Sequence, residues 1–381
     1  MAAWLVMRRT GSPGITLAVL IPAYLLMLTH TQIWAESFAI PLFALLVALI
    51  YDDERRPDTR TRVLLAIPLL AVWANLHGTV LMGAAIAAAY GVWGLITGRC
   101  RWRCLALVVL SPLAALATPY GPDIGGYYRS VLGNGVIRQN VNIWGPWSPD
   151  SFFSIHFAAT ALLAATAVAW AVRRGHRPDL VAAGLALITL IAGVYAIRYQ
   201  LWFAIPAAIL AADALAFTSG SARTLFGPTT RRVAGAVPLL AAGVSALVLA
   251  TTSDATFERT VPTETVAATS RIMAGAPCSL AMADYAVAPA LLWQHPELAG
   301  RIGFDTRFEI YAQRRLAGWF RFNDGAPGWD AATSGYDLLA ISSSRHPQLA
   351  ARIRAAPDWR VDQSDAQGLI ASRTRSPAGC G

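Results

Sequence analysis

Nine apolar runs dominate the first 250 residues. They lie at about 14–29, 35–51, 63–75, 79–97, 105–117, 156–172, 180–197, 201–218 and 233–250. Crossing roughly 30 Å of hydrocarbon takes about 20 apolar residues in a helix, and most of the runs come near that length. Those at 63–75 and 105–117 are short, so their ends are expected in protein or water rather than in lipid. Hydrophobic residues make up 55% of the chain, charged residues 14%, and the mean hydropathy is +0.46. That leaves too little polar surface for a soluble protein. The expected architecture is an α-helical polytopic membrane domain over residues 1–250, with about nine spans.

The net charge of +9 raises the question of nucleic acid, and its location answers it. Residues 251–381 hold 13 Arg and 13 acidic residues, whereas residues 1–250 hold 18 Arg and nine acids. Basic charge confined to short loops between apolar runs reports topology, and no nucleic-acid partner is expected. Arg8/Arg9, Arg55/Arg56/Arg60/Arg62, Arg99/Arg101/Arg103, Arg173/Arg174/Arg177 and Arg223/Arg231/Arg232 alternate with segments that hold only Arg129, Arg138 and Arg198. The positive-inside rule then puts the N-terminus in the cytoplasm and residues 251–381 outside. It also makes 63–97 a hairpin with its turn at Asn75–Gly78. Met1–Met7 followed by Arg8 and Arg9 is the wrong order for a positively charged leader. Trp34, Trp144, Trp147 and Trp202 gather near the outer face, as an aromatic belt does.

Residues 251–381 read as a separate extracytoplasmic α/β domain. Strand-like runs at Ser279–Asp284, Arg301–Asp305, Asp337–Ser342, Trp359–Gln363 and Gly368–Ser372 alternate with helix-like stretches at about 285–294, 308–321 and 346–355. No glycine-rich nucleotide fingerprint is present, and the absence of Lys excludes Schiff-base and phosphate-loop lysine chemistry. Cys100 and Cys104 fall in a cytoplasmic loop and are expected to stay reduced. Cys278 and Cys380 both fall outside, where a disulfide can form; a bridge and two unpaired thiols both remain open.

The polar residues of the membrane domain collect at the outer ends of the runs: His30, Gln32, Glu36, Asn75, His77, Asp123, Arg129, Arg138, Asp150, His156 and Arg198. Ionisable groups at that depth are costly and often functional. A transferase using a lipid-phosphate sugar needs a carboxylate to take the acceptor proton and a cation to hold the leaving phosphate. On that logic Glu36 or Asp123 is the base and Arg198 the clamp. Each also has a plain structural reading. Glu36 can be solvated at headgroup level, His77 can satisfy backbone in a tight turn, and Arg198 can snorkel. Asp213 lies apart and suits helix packing. In the tail, Asp305, Arg307 and Glu309 sit where a strand gives way to a helix, either as a site or as an Asp N-cap with local ion pairing. The histidines are too scattered for a metal site and no cofactor is expected, although a divalent metal is left open.

Trp73-Ala74-Asn75-Leu76-His77-Gly78, Thr118-Pro119-Tyr120-Gly121, Trp147-Ser148-Pro149, Arg198-Tyr199 and Asp305–Tyr311, in this order, resemble bacterial multi-spanning proteins related to the GT-C glycosyltransferases. The resemblance implies a polytopic helical fold with an extracytoplasmic active site and a polyprenyl-phosphate sugar as donor. It also implies a role in substrate binding for Arg198, His77, Asn75, Tyr120, Trp147 and Gln32. The chain departs from the family in its catalytic equipment. The first visible outer loop, His30–Ala35, has no Asp. Pro146 stands where relatives carry an acid, and Thr118 where they carry Asn. Two classes of function follow: a sugar transferase, or a non-catalytic membrane protein that binds a partner through its external domain.

Overall fold

The structure, a computed structural model, describes residues 10–28, 35–55, 61–219 and 261–374, together with 6, 243, 247, 250 and 251. The chain divides into two compact units. The first comprises Met1–Arg129 and Val141–Leu240, the second Ser130–Asn140 and Ala241–Gly381.

In the first unit, eight of the nine apolar runs form helices. These are α1 (Pro13–Leu28), α2 (Ala35–Arg55), α3 (Ala66–Ala74), α4 (Val80–Ile96), α5 (Arg101–Ala114), α8 (Phe152–Arg173), α9 (Leu180–Tyr195) and α10 (Gln200–Thr218). The ninth run, 233–250, lies almost wholly outside the described residues. α6 (Ile124–Leu132) follows α5 in the long loop, and α7 (Gly135–Asn140) belongs to the second unit. Two helical stretches, Phe152–Arg173 and Ile197–Thr218, are long and apolar enough to cross a bilayer, whereas Gly14–Met27, Thr61–Ala74, Val80–Ile96 and Leu180–Tyr195 are apolar but shorter. Nine full-length spans are therefore not seen among the described residues. The turn at Asn75 stops α3 early, and an extended Ala196 stops α9.

α10 is the centre of this unit. Every residue from Gln200 to Ile209 is buried, and α1, α8 and α9 pack around it. A helix that is apolar on all sides has to be enclosed in this way. Gln200 and Trp202, expected at the outer interface, are instead fully buried. Gln200 Nε2 donates to Ser154 Oγ (3.1 Å) and to the Gly193 carbonyl (3.3 Å), tying α10 to α8 and α9. Gly193 makes the close approach possible, since a Cβ there would stand 2.7 Å from the Phe157 ring. The surrounding helices bury only a stripe. α8 buries Ser154, Phe157, Thr160, Ala164 and Ala171, yet turns Ile155, Leu162, Leu163 and Trp170 outward.

The hairpin of α3 and α4 forms as expected, with Gly83 letting α4 pack on the Trp73 ring. At the opposite end of α4 from the hairpin turn, charges counted in the sequence as loop markers are bound in a network. Arg103 Nη1 donates to Asp53 (3.2 Å), Tyr90 Oη donates to the other Asp53 oxygen (2.8 Å), and Arg99 donates to Tyr90 Oη (2.7 Å) and Glu54 (2.6 Å). Asp213 of α10 lies 3.8 Å from His176 Nε2, which fits the packing role expected of it.

The second unit is an α/β layer, with α11 (Thr263–Gly275), α12 (Val287–Gln294), α13 (Gln313–Asn323) and α14 (Pro347–Ala355). β1 (Ala281–Ala283), β2 (Leu338–Ile341), β3 (Trp359–Ser364) and β4 (Leu369–Arg373) make one sheet in the order β1-β2-β4-β3, parallel between β1 and β2 and antiparallel elsewhere. The strand expected at Arg301–Asp305 shrinks to a single parallel bridge, Ile302 with Ala281. The chain leaves the sheet at Gly303, which is pressed against the Tyr336 ring. The helix expected at 308–321 is broken: a 3-10 turn at Phe308–Ile310 precedes α13, because Tyr311 and Ala312 are extended. Cys278 is disulfide-bonded, and Cys380 lies outside the described residues. Cys100 and Cys104 are free thiols.

A Cβ on Gly303 would stand 2.6 Å from Tyr336 Cε1. Gly303→Ala is therefore expected to cost about 1–3 kcal/mol in denaturant unfolding. The cost is expected to be smaller in a Tyr336→Ala background, and a double-mutant cycle measures the difference.

Candidate functional site

Three distant parts of the first unit bring ionisable side chains together: the start of α2, the turn between α3 and α4, and the turn between α9 and α10. Arg198 lies in the 3-10 turn Ile197–Tyr199. Two backbone bonds clip that turn to the long loop. Trp147 N–H donates to the Val194 carbonyl and Ile197 N–H to the Gly145 carbonyl, both at 3.0 Å. The loop thereby lays the Trp144 ring 4.1 Å from the Arg198 guanidinium carbon, a cation–π contact that strengthens as water is excluded.

Glu36 occupies the first turn of α2, where the helix dipole favours an anion. Its Oε2 is 3.4 Å from Arg198 Nη2, and the two side chains are only 9% and 12% exposed. The pair is not closed. Arg198 Nε is buried and finds no hydrogen-bond partner among the described residues, while the buried Glu36 Oε1 and Trp202 Nε1 face each other without reaching full hydrogen-bond geometry. Of the guanidinium's donors, Nη2 alone donates to a described side chain, Glu36. Buried donors left in this state cost about 1–3 kcal/mol each, so the arrangement has capacity for an anion.

His77 completes the cluster, its Nε2 3.5 Å from Arg198 Nη2. Burial, and then the Arg198 charge, push its imidazole down to about 4. The ring is therefore neutral at ordinary pH. Trp73 Nε1 donates to Thr79 Oγ1 at 3.2 Å, and Thr79 Oγ1 lies 2.9 Å from His77 Nδ1. Around this turn Tyr128 Oη donates to the Gly78 carbonyl at 3.0 Å.

The other expected site residues separate. Asn75 is structural: its amide donates to the Ala71 and Ala117 carbonyls and holds the turn to the end of α5. Asp123 is exposed in the turn Gly121–Asp123 and makes no ion pair among the described residues, so it does not join Glu36. Tyr120 is 65% exposed. Trp147 acts through its backbone clip, and its indole donates to the Ser154 carbonyl. Gln32 and His30 lie outside the described residues. Thr79 was not singled out in the sequence, and Trp73 and Trp144 were marked only as a motif residue and an interface ring. A threonine at a helix start reads as a cap and a tryptophan as an interface anchor, so no local signal marked their place in the cluster.

In the second unit, Asp305 is buried and Arg307 covers it, donating from its backbone N–H (2.9 Å) and from its guanidinium. Burial raises the Asp305 carboxyl, but the Arg307 bonds outweigh it and hold the group below its ordinary range. This is a local Asx turn with ion pairing. It is not a helix N-cap, since α13 starts only at Gln313. The Glu309 side chain lies outside the described residues. Asp284, which the sequence did not mark, is fully buried at the end of β1. It accepts the N–H groups of Ala286 (2.9 Å), Val287 (2.8 Å) and Ser342 (2.6 Å).

Among the described residues no three His, Cys, Asp or Glu side chains converge as a metal site needs. No family model matches the chain, and no curated protein matches it in sequence.

The depressed His77 pKa carries a sign. Between pH 6.5 and about 4 the unfolded chain takes up a proton that the folded site refuses, so this contribution to stability falls as pH falls. His77→Gln is expected to flatten that part of the profile of melting temperature against pH, measured in detergent between pH 4 and 7.

Proposed function

We propose that the chain is a multi-pass protein of the bacterial plasma membrane. In this reading it binds a polyprenyl-phosphate-linked sugar on the extracytoplasmic face and transfers the sugar to an acceptor, in the manner of the GT-C glycosyltransferases it resembles. The observation that carries the reading is Arg198, whose side chain is only 12% exposed. It is stacked on Trp144, paired loosely with Glu36, and its buried Nε has no partner among the described residues.

Support for the membrane comes from the outward faces of the helices. Leu17, Ile21, Leu45, Val72, Leu105, Val109, Leu162, Leu163, Leu187 and Ile191 are all exposed, far more apolar surface than a water-facing bundle presents. The alternation of Arg clusters supports about nine crossings, with the shorter helices completed by the turns that flank them. The N-terminus is then cytoplasmic and the α/β unit extracytoplasmic.

The chemistry follows from the residues. The donor phosphate accepts from N–H groups of Arg198, which loosens the Glu36 pair. Glu36 accepts the proton of the acceptor hydroxyl. The hydroxyl oxygen bonds to the anomeric carbon as the bond from that carbon to the phosphate oxygen breaks. The electron pair stays on the phosphate, where Arg198 stabilises it. The other reading is a non-catalytic membrane subunit that binds through its external unit. It is favoured by the fact that Glu36 and Arg198 already neutralise each other, as a structural lock between α2 and the turn before α10 does.

Arg198→Ala is expected to abolish binding of a short-chain polyprenyl phosphate by the purified protein while leaving its melting temperature within a few degrees. Glu36→Gln is expected to keep binding and to lower sugar transfer by about 10²–10⁴-fold, the usual contribution of a general base. Binding that survives Arg198→Ala removes the clamp. Intact binding with no transfer by the wild type, across lipid-linked donors, leaves the subunit reading.

A further inference from the structure

His77 and Arg198 present a geometry that the ion pair with Glu36 does not explain. Their nitrogens, Nε2 and Nη2, stand 3.5 Å apart. Whether this contact is a hydrogen bond depends on where the imidazole proton sits, and the surrounding donors decide that. The backbone N–H of Thr79 points at His77 Nδ1 from 3.3 Å. A backbone N–H can only donate, so Nδ1 is an acceptor. The Thr79 hydroxyl is able to add a second donor on the same nitrogen. Trp73 Nε1–H, also a pure donor, occupies a lone pair of Thr79 Oγ1. The hydroxyl proton is then free to point along the 2.9 Å contact to Nδ1. The Thr79 N–H thus fixes Nδ1 as the acceptor, with the hydroxyl placed to reinforce it, and a neutral ring with Nδ1 bare carries its proton on Nε2.

The 3.5 Å contact is therefore two donors side by side. An imidazole N–H and a guanidinium N–H face the same space, and neither accepts from the other. The relay behind them is rigid. Trp73 is fully buried and stacked on Trp202 at 5.7 Å between ring centroids, and Thr79 is 7% exposed.

We propose that His77 Nε2–H is the second donor to the phosphate oxygens held by Arg198, and that Thr79, oriented by Trp73, is the positioning residue that keeps the proton on that nitrogen. This rests on the reading of Arg198 as a phosphate clamp. The ligand class is a phosphate ester, whose non-bridging oxygens accept from both donors. A neutral N–H donor also suits a site whose anion is already balanced by one arginine. A histidine cation would add a second charge, whereas the neutral ring adds direction.

The test uses the full chain in detergent micelles with ¹⁵N-labelled histidine. In the wild type, the His77 nitrogen shifts are expected to show Nδ1 bare and Nε2 protonated between pH 6 and 8. A protonated Nδ1 overturns the proposal without any variant. Thr79→Val is expected to mix the tautomers and weaken farnesyl phosphate binding about 10-fold, and Thr79→Ser to restore both, since only the hydroxyl is needed. Wild-type tautomer and affinity in Thr79→Val overturn the relay. Arg198→Ala separates the two levels of the argument. If it leaves binding intact, the clamp itself is wrong; if it abolishes binding while Thr79→Val does nothing, only the relay is wrong. Inorganic phosphate run in parallel distinguishes the sources of the phosphate. Competition at equal affinity points to a free-phosphate site, and preference for the prenyl ester points to a lipid headgroup.

Discussion

The stacked indoles of Trp73 and Trp202 hold the candidate site in register. Trp73 belongs to the end of α3 and Trp202 to the first turn of α10, and Phe43 of α2 meets Trp202 edge-on at 5.1 Å. Three helices distant in sequence thus share one aromatic contact, and each carries one member of the polar cluster within a few residues of it. Glu36 lies two turns before Phe43, His77 four residues after Trp73, and Arg198 four residues before Trp202. Packing of this kind is intolerant of small displacements. It converts three flexible chain segments into a fixed arrangement of acid, base and imidazole.

Much of the first unit was legible because apolar length and Arg position are one-dimensional signals. The helices α1 to α5 and α8 to α10 follow the apolar runs, and the hairpin turn at Asn75–Gly78 was expected from the placing of Arg62 and Arg99. Glu36, His77 and Arg198 were legible as a set because ionisable residues at the ends of apolar runs are few. Depth and direction were not. Trp202 looked like an interfacial ring and is a core ring. Asp123 looked equivalent to Glu36, since sequence gives the side of a membrane but not the distance to a partner. Trp144 gained its role only through Arg198, far away in the chain, and Thr79 through the geometry of the turn it closes.

The second unit shows the same division. Strand and helix alternation predicted most of the elements, and failed where tertiary contacts override local pattern, at Gly303 against Tyr336 and at the extended Tyr311–Ala312. The segment at Ile302, β1 and β2 run parallel, with β1 between the other two. Folds of this kind accept ligands at the carboxyl ends of the strands where the connections diverge. Here Asp284 fills that place with its own carboxylate, satisfying the first N–H groups of α12 and the Ser342 N–H.

α10 has no outward side from Gln200 to Ile209, and this bears on how the bundle comes together during synthesis. Ribosomes deliver α1, α8 and α9 before it, yet these are the helices that enclose it. Until Thr218 has emerged, their inner faces, with Phe157 and Gly193 among them, surround a slot that nothing fills. The bundle is thus assembled around its last central piece, and the earlier helices have to remain loosely associated long enough to admit it.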